Sequence, residues 1–168
     1  LLSYNYFSGE PVTQLQEGRP LLVRSANDHF SLANLMRTEL YAAVGVLKIG
    51  NDILFNHEHV AVDRLTGHGG FFTTPVVGQR ILAAALNSPI SCMETAGEGG
   101  AWGIALLAGY VVNNTDGQSL ADYLDTKVFA GNTGTTVEPD PADVAGFNTW
   151  IETYKKGLAI EQAAVCHK

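Results

Sequence analysis

The sequence is poor in cysteine, in charge and in long apolar runs. Only two cysteines occur among 168 residues, Cys92 and Cys166. They lie far apart in unlike settings, so a disulfide framework is excluded and a reducing compartment fits. Basic residues are scarce: ten Lys and Arg against seventeen Asp and Glu give a net charge of −7. Such a chain has no electrostatic footprint for nucleic acid or for an anionic membrane surface. No apolar run approaches the roughly 18 residues that a membrane-spanning helix needs. The opening "LLSYNYFSGEP" has neither a basic region nor a helical pattern, so it does not read as a signal peptide. It begins with two leucines rather than methionine, which reads as a piece of a longer protein. The sequon Asn113-Asn114-Thr115 stands without a secretory signal and reads as chance, and a cytoplasmic location is expected.

What is present is an ordinary globular balance, with 46% hydrophobic and 16% charged residues, enough for one domain over 1–168 with a core of its own. Residues 1–27 are turn-rich, with "LLVRS" as a short strand. From about 29 to 50, Leu32, Leu35, Met36, Leu40, Ala43, Val44 and Leu47 recur at helical steps, with Asp28 and Ser31 as candidate caps and Gly50-Asn51 as a stop. "VAVDRLT" (60–66) alternates and reads as a strand, on whose surface Asp63 falls. Pro75 suits the first turn of a helix running to about Leu86. "PISCME" (89–94) reads as a second strand, and "AWGIALLAGYVV" (101–112) as a helix so apolar that both its sides need cover. Ser119 and Asp122 form a capping box before "LADYLDTKVF". "GNTGTTVEPDPAD" reads as a polar loop. A last helix starts at about Pro141 and carries Val144, Phe147, Ile151, Tyr154 and Leu158.

Strands alternating with helices predict an α/β sheet with covered faces. Ligands of such sheets bind where strands end and helices begin. Two glycine clusters fall at those points: Gly67, Gly69 and Gly70 after the first strand, and Gly97, Gly99, Gly100 and Gly103 after the second. Glycine there makes a tight turn, or lets backbone approach a flat ligand. The second cluster fails the dinucleotide fingerprint, because Trp102 occupies its third glycine position. His57 and His59 flank Glu58 without an evident third metal ligand and read as solvated loop residues. His68 sits inside the first glycine turn and is placed to line a crevice.

The order "LANLMRTELYAAVGVL", "VAVDRLTGHGGFFTTPVVGQRILAAALNSPI", "METAGEGGAWGIALLAGYV" resembles the C-terminal part of the FGGY carbohydrate kinases over about residues 20–112. Met36-Arg37-Thr38 stands for that family's Tyr-Arg-Ala, Gly69-Gly70 for its glycine turn and "GQRILAA" for its Gln-Ile-Leu-Ala-Asp helix, with Ala84 in place of the aspartate. "GGAWGIALLAGYV" stands for its Gly-Ala-Ala-Leu-Leu-Ala helix.

The resemblance implies the C-terminal portion of an actin-like ATPase (ribonuclease H-like) domain, with short strands and covering helices. It implies ATP as cosubstrate with Mg²⁺, and adenine held at Gly69, Gly70, Phe71 and Thr74. Among members the chain looks most like the pentulose kinases for xylulose or ribulose. The family's catalytic aspartate, sugar site and phosphate loops lie in an N-terminal lobe with no counterpart here. A pentulose would therefore be bound by that lobe, and these residues alone would be inactive. L-ribulokinase or another FGGY kinase, a non-catalytic actin-like module and a dinucleotide-binding oxidoreductase domain stand as alternatives. Self-association is expected from the apolar helix at 101–112.

Overall fold

The computed structural model describes every residue except 63, 64, 95, 115, 132, 133 and 168, and leaves the side chain of Glu98 undescribed. The expected surface position of Asp63 and the Thr115 of the sequon lie outside the described residues. Among the described residues, five three-residue strands and five α-helices are interspersed along the chain. A two-stranded antiparallel ribbon pairs β1 (Leu2–Tyr4) with β2 (Leu21–Val23). Helix α1 (Leu32–Asp52) follows, then β3 (Leu65–Gly67), α2 (Val77–Leu86), β4 (Ile90–Cys92), α3 (Gly99–Asn113), α4 (Leu120–Tyr123), β5 (Thr135–Val137) and α5 (Pro141–Cys166). The second sheet has the order β3-β4-β5, with β3 parallel and β5 antiparallel to β4.

Local chemistry accounts for most of these limits. Ser31 caps α1 by accepting from the Asn34 amide, as its sequence position predicts. Gly50-Asn51 does not stop the helix. Both residues stay helical, Lys48 pairs with Asp52 at 2.6 Å, and the chain runs on into a π-turn over Ile53–His57. Asp140 caps α5 through the amides of Ala142 and Asp143, with Pro141 at the first position. Ser119 caps α4 through the Asp122 amide.

Three expectations need correction. Of the strand expected over 60–66, residues 63 and 64 lie outside the described residues, 60–62 are not strand, and the described strand is Leu65–Gly67, paired with the three residues of β4. The loop expected from 131 contains β5. Its β-branched Thr135-Thr136-Val137 closes the open edge of β4, satisfying backbone groups that would otherwise be bare. The apolar helix α3 is not covered on both sides. It meets α4 and the following turn, through Tyr110 on Tyr123 and Trp102 on Phe129, while Ile104, Val111 and Val112 remain 68–77% exposed.

The core is built around α2 and α5. Leu82, Ala83, Ala84, Ala85 and Leu86 of α2 are buried between α1, α5 and β4. Phe147, Ile151 and Tyr154 of α5 are almost wholly buried, each contributing roughly 1.5–3 kcal/mol by removal of apolar surface from water. An aromatic ladder joins Tyr41, Phe147, Trp150, Tyr154 and Tyr4, with ring centroids 4.8–5.6 Å apart. The Tyr4 hydroxyl donates to the Tyr154 carbonyl at 2.9 Å, which fastens the ribbon to α5.

Glu161, on the last turns of α5, is wholly buried. One of its carboxyl oxygens accepts the Arg19 amide at 2.5 Å; the other has no partner among the described residues. Burial pushes its pKa up, opposed by the Arg19 amide and the Arg19 charge. An acid whose folded pKa lies above its unfolded one holds a proton in the folded state that it has lost in the unfolded state. Stability is therefore full below the ordinary carboxylate range and is lost as pH rises from there through the folded value. We expect the midpoint of urea unfolding to fall as pH rises through this window, and Glu161→Gln to flatten that dependence. An equal slope in the variant contradicts the assignment.

Candidate functional site

Strands β3 and β4 lie side by side and parallel, so their carboxyl ends fall at the same edge of the sheet. Each is followed at once by a glycine turn. Gly69 takes φ of +100° and Gly99 φ of +52°, conformations that suit glycine. The Gly69 amide donates to the Ala96 carbonyl at 2.5 Å, and a Cβ at Gly99 would lie 3.3 Å from the Gly69 Cα. The two clusters that the sequence separates by nearly thirty residues thus pack backbone to backbone.

Beside this junction opens a cleft of 360 Å³. Phe72, Thr73 and Val76 form one wall; Cys92, Ala96 and Gly97 form the floor and far side, with Glu94 at the rim. The position of β5 brings Thr135 to the same cleft. Gln79, buried in the first turn of α2, fixes the geometry. Its amide nitrogen donates to the carbonyls of Ile90 at 3.0 Å and Thr135 at 2.8 Å, and its oxygen accepts from the Thr135 hydroxyl at 3.3 Å. Burial pushes the Cys92 thiol pKa up, so at neutral pH it is a neutral lining group rather than a nucleophile.

The residues singled out by sequence fall at the margin of this cleft. Gly69 and Gly70 open a single 3₁₀ turn, and Thr74 is exposed just beyond it. Phe71 turns inward. Its ring packs against the core and its carbonyl sits on Gly78, where no Cβ fits. Phe72 instead lays its ring over Gly67 and lines the cleft. His68 stacks on Trp102, with ring centroids 6.2 Å apart, and is not among the lining residues. Sequence reasoning passed over Gln79 and Thr135. The signal for Gln79 was a polar residue on the apolar face of α2; Thr135 carried none, being placed by strand pairing across more than forty residues. Among the described residues no group of three or more His, Cys, Asp or Glu is placed to hold a metal ion, and His57 and His59 stay in the turn after α1. No helix among them is long and apolar enough to cross a membrane.

The arrangement is the C-terminal portion of an actin-like ATPase domain, an α/β fold of short strands and covering helices. The chain belongs to the FGGY family of carbohydrate kinases, whose C-terminal domain matches residues 1–112. Three solved structures share its fold. A ligand-bound xylulose kinase from Lactobacillus acidophilus superposes with a TM-score of 0.70 at 17% identity, covering 98% of this chain and 32% of its own. A gluconate kinase from the same organism gives 0.69 at 17% identity, covering 96% and 31%. A xylulose kinase from Rhodospirillum rubrum gives 0.61 at 20% identity, covering 100% and 32%. The chain therefore spans about a third of the length of these proteins. No curated protein matches it.

Pro75 does not open α2 as expected. The helix starts at Val77, and Val76 before it takes φ of +69°. The reversal is forced because the Val77 amide bonds back to the Pro75 carbonyl at 2.8 Å. A β-branched residue at positive φ costs on the order of 1–3 kcal/mol. Val76→Gly should relieve it and, after the entropy cost of glycine, gain about 1 kcal/mol, roughly 2–4 °C in Tm. A lower Tm in calorimetry refutes strain at this position.

Proposed function

We propose that this chain is the nucleotide-side part of an ATP-dependent pentulose kinase of the xylulose kinase type, with adenine held at the joined glycine turns. The observation that supports this most is the cleft at the carboxyl ends of adjacent parallel strands, in a chain of the FGGY family. Gly69, Gly70, Phe71 and Thr74 are the proposed adenine side. Gly70 offers bare backbone to a flat ring, Phe71 braces the turn from within, and Thr74 lies exposed at its end. Phe72 and Gly97 extend the same surface into the cleft.

In the reaction of this class a terminal sugar hydroxyl attacks the γ-phosphorus in line and ADP leaves. Positioning the reactants supplies roughly 7–11 kcal/mol of such a barrier. This chain contributes the nucleotide's half of that positioning. Mg²⁺ would neutralise phosphate charge in such a reaction, and the family resemblance implies that the sugar is bound by an N-terminal lobe. A cytoplasmic location, self-association through α3 and inactivity of these residues alone belong to the same reading.

Gly70 provides the test. A Cβ there meets nothing within 4 Å, and the residue is not at positive φ, so the fold has no need of glycine at this position. Gly70→Val should melt within about 2 °C of the parent, a shift of only a few tenths of a kcal/mol. Its affinity for ATP should fall at least tenfold, about 1.4 kcal/mol, because the side chain occupies the ligand's place. Unchanged ATP affinity by calorimetric titration of the folded variant rejects the adenine assignment.

A further inference from the structure

The charge of the cleft is one-sided. Among its described lining residues there is no Lys, Arg or His, and the one ionised side chain is Glu94. Most of the other polar groups there are spent within the fold. The Gln79 amide serves Ile90 and Thr135, and the Thr73 hydroxyl donates to the Gly70 carbonyl at 2.8 Å. Glu94 is exposed, and among the described residues no hydrogen bond or ion pair engages it.

A triphosphate brings only acceptors and negative charge, so it has no place beside this carboxylate. The nucleoside end brings donors. Its flat base suits the side of the cleft that adjoins the glycine turns, where Ala96, bonded to the Gly69 amide, is 4% exposed. The sugar then falls at the rim, where the two oxygens of one carboxylate match two vicinal hydroxyls.

Resting on the nucleotide reading above, we propose that Glu94 is a specificity-determining residue. It accepts hydrogen bonds from the ribose 2′- and 3′-hydroxyls, orients the nucleoside base-inward, and turns the phosphates out of the cleft.

The test is a titration of the 168-residue chain with adenosine and with 2′-deoxyadenosine, followed by amide chemical shifts. Neutral nucleosides keep phosphate charge out of the comparison. The parent should bind adenosine roughly tenfold tighter than the deoxy form, the low end for a hydrogen bond to a charged group. Glu94→Ala should bind the two nucleosides equally, and adenosine no tighter than the parent binds 2′-deoxyadenosine, while Glu94→Gln, with one acceptor oxygen, should fall between parent and alanine variant. Equal binding of both nucleosides by the parent, or discrimination that survives in Glu94→Ala, overturns the role of Glu94 and leaves the cleft reading standing. If the folded parent binds neither nucleoside, the cleft reading fails and this inference falls with it.

Discussion

The approach of the two glycine turns is the constraint on which the functional geometry depends. The Gly69 amide meets the Ala96 carbonyl, and a side chain at Gly99, itself at positive φ, would press on the Gly69 backbone at 3.3 Å. This contact exists only because β3 and β4 are parallel neighbours, in register from Leu65 with Ile90 to Gly67 with Cys92. A parallel pair of three residues is weak alone, so something else must hold it. That support is α2, the crossover between the two strands, whose apolar face is buried and whose Gln79 ties the carbonyls of β4 and β5 together.

The residues beyond the family match are part of this support. The segment from 113 onward supplies β5, which pairs with β4, and α5, which carries the wholly buried rings of Phe147 and Tyr154. Arg80 of α2 meets Asp143 of α5 at 2.5 Å, and the Trp150 indole donates to the Leu1 carbonyl at 3.1 Å. The first turn of α2 and the amino-terminal ribbon are thereby anchored to one helix. The apolar face of α3 is the exception. Its exposed Ile104, Val111 and Val112 stand outside this core.

The legible parts of the sequence were those governed by local chemistry. Ser31, Ser119 and Pro141 marked helix starts because caps and first-turn prolines act within one turn. The glycine clusters marked the ends of the two strands because positive φ is a property of single residues. What was hidden depends on distant partners. Thr135–Val137 becomes a strand only because β4 has an open edge, and the described part of β3, Leu65–Gly67, takes its limits from the three residues of β4. Val76 gives no sign in sequence of the reversed backbone it adopts. Of the candidate site, the sequence marked the glycine turn itself: Gly69 bonds to the lining residue Ala96, and Thr74 stands exposed between the lining residues Thr73 and Pro75; Phe71 and Phe72 both pack against the core, and Phe72 also lines the cleft.

The central claim is that the joined glycine turns form a nucleotide surface. The most direct measurement is a residue-resolved amide titration of the folded chain with ATP. The account predicts concentration-dependent shifts confined to the joined turns and the cleft, at the amides of Gly69, Gly70, Thr73, Thr74, Glu94, Ala96 and Gly97, with those of α1 and α5 unmoved. Shifts centred instead on the groove lined by Arg37, Tyr41 and Trp150, or none at all in a folded chain, would contradict it.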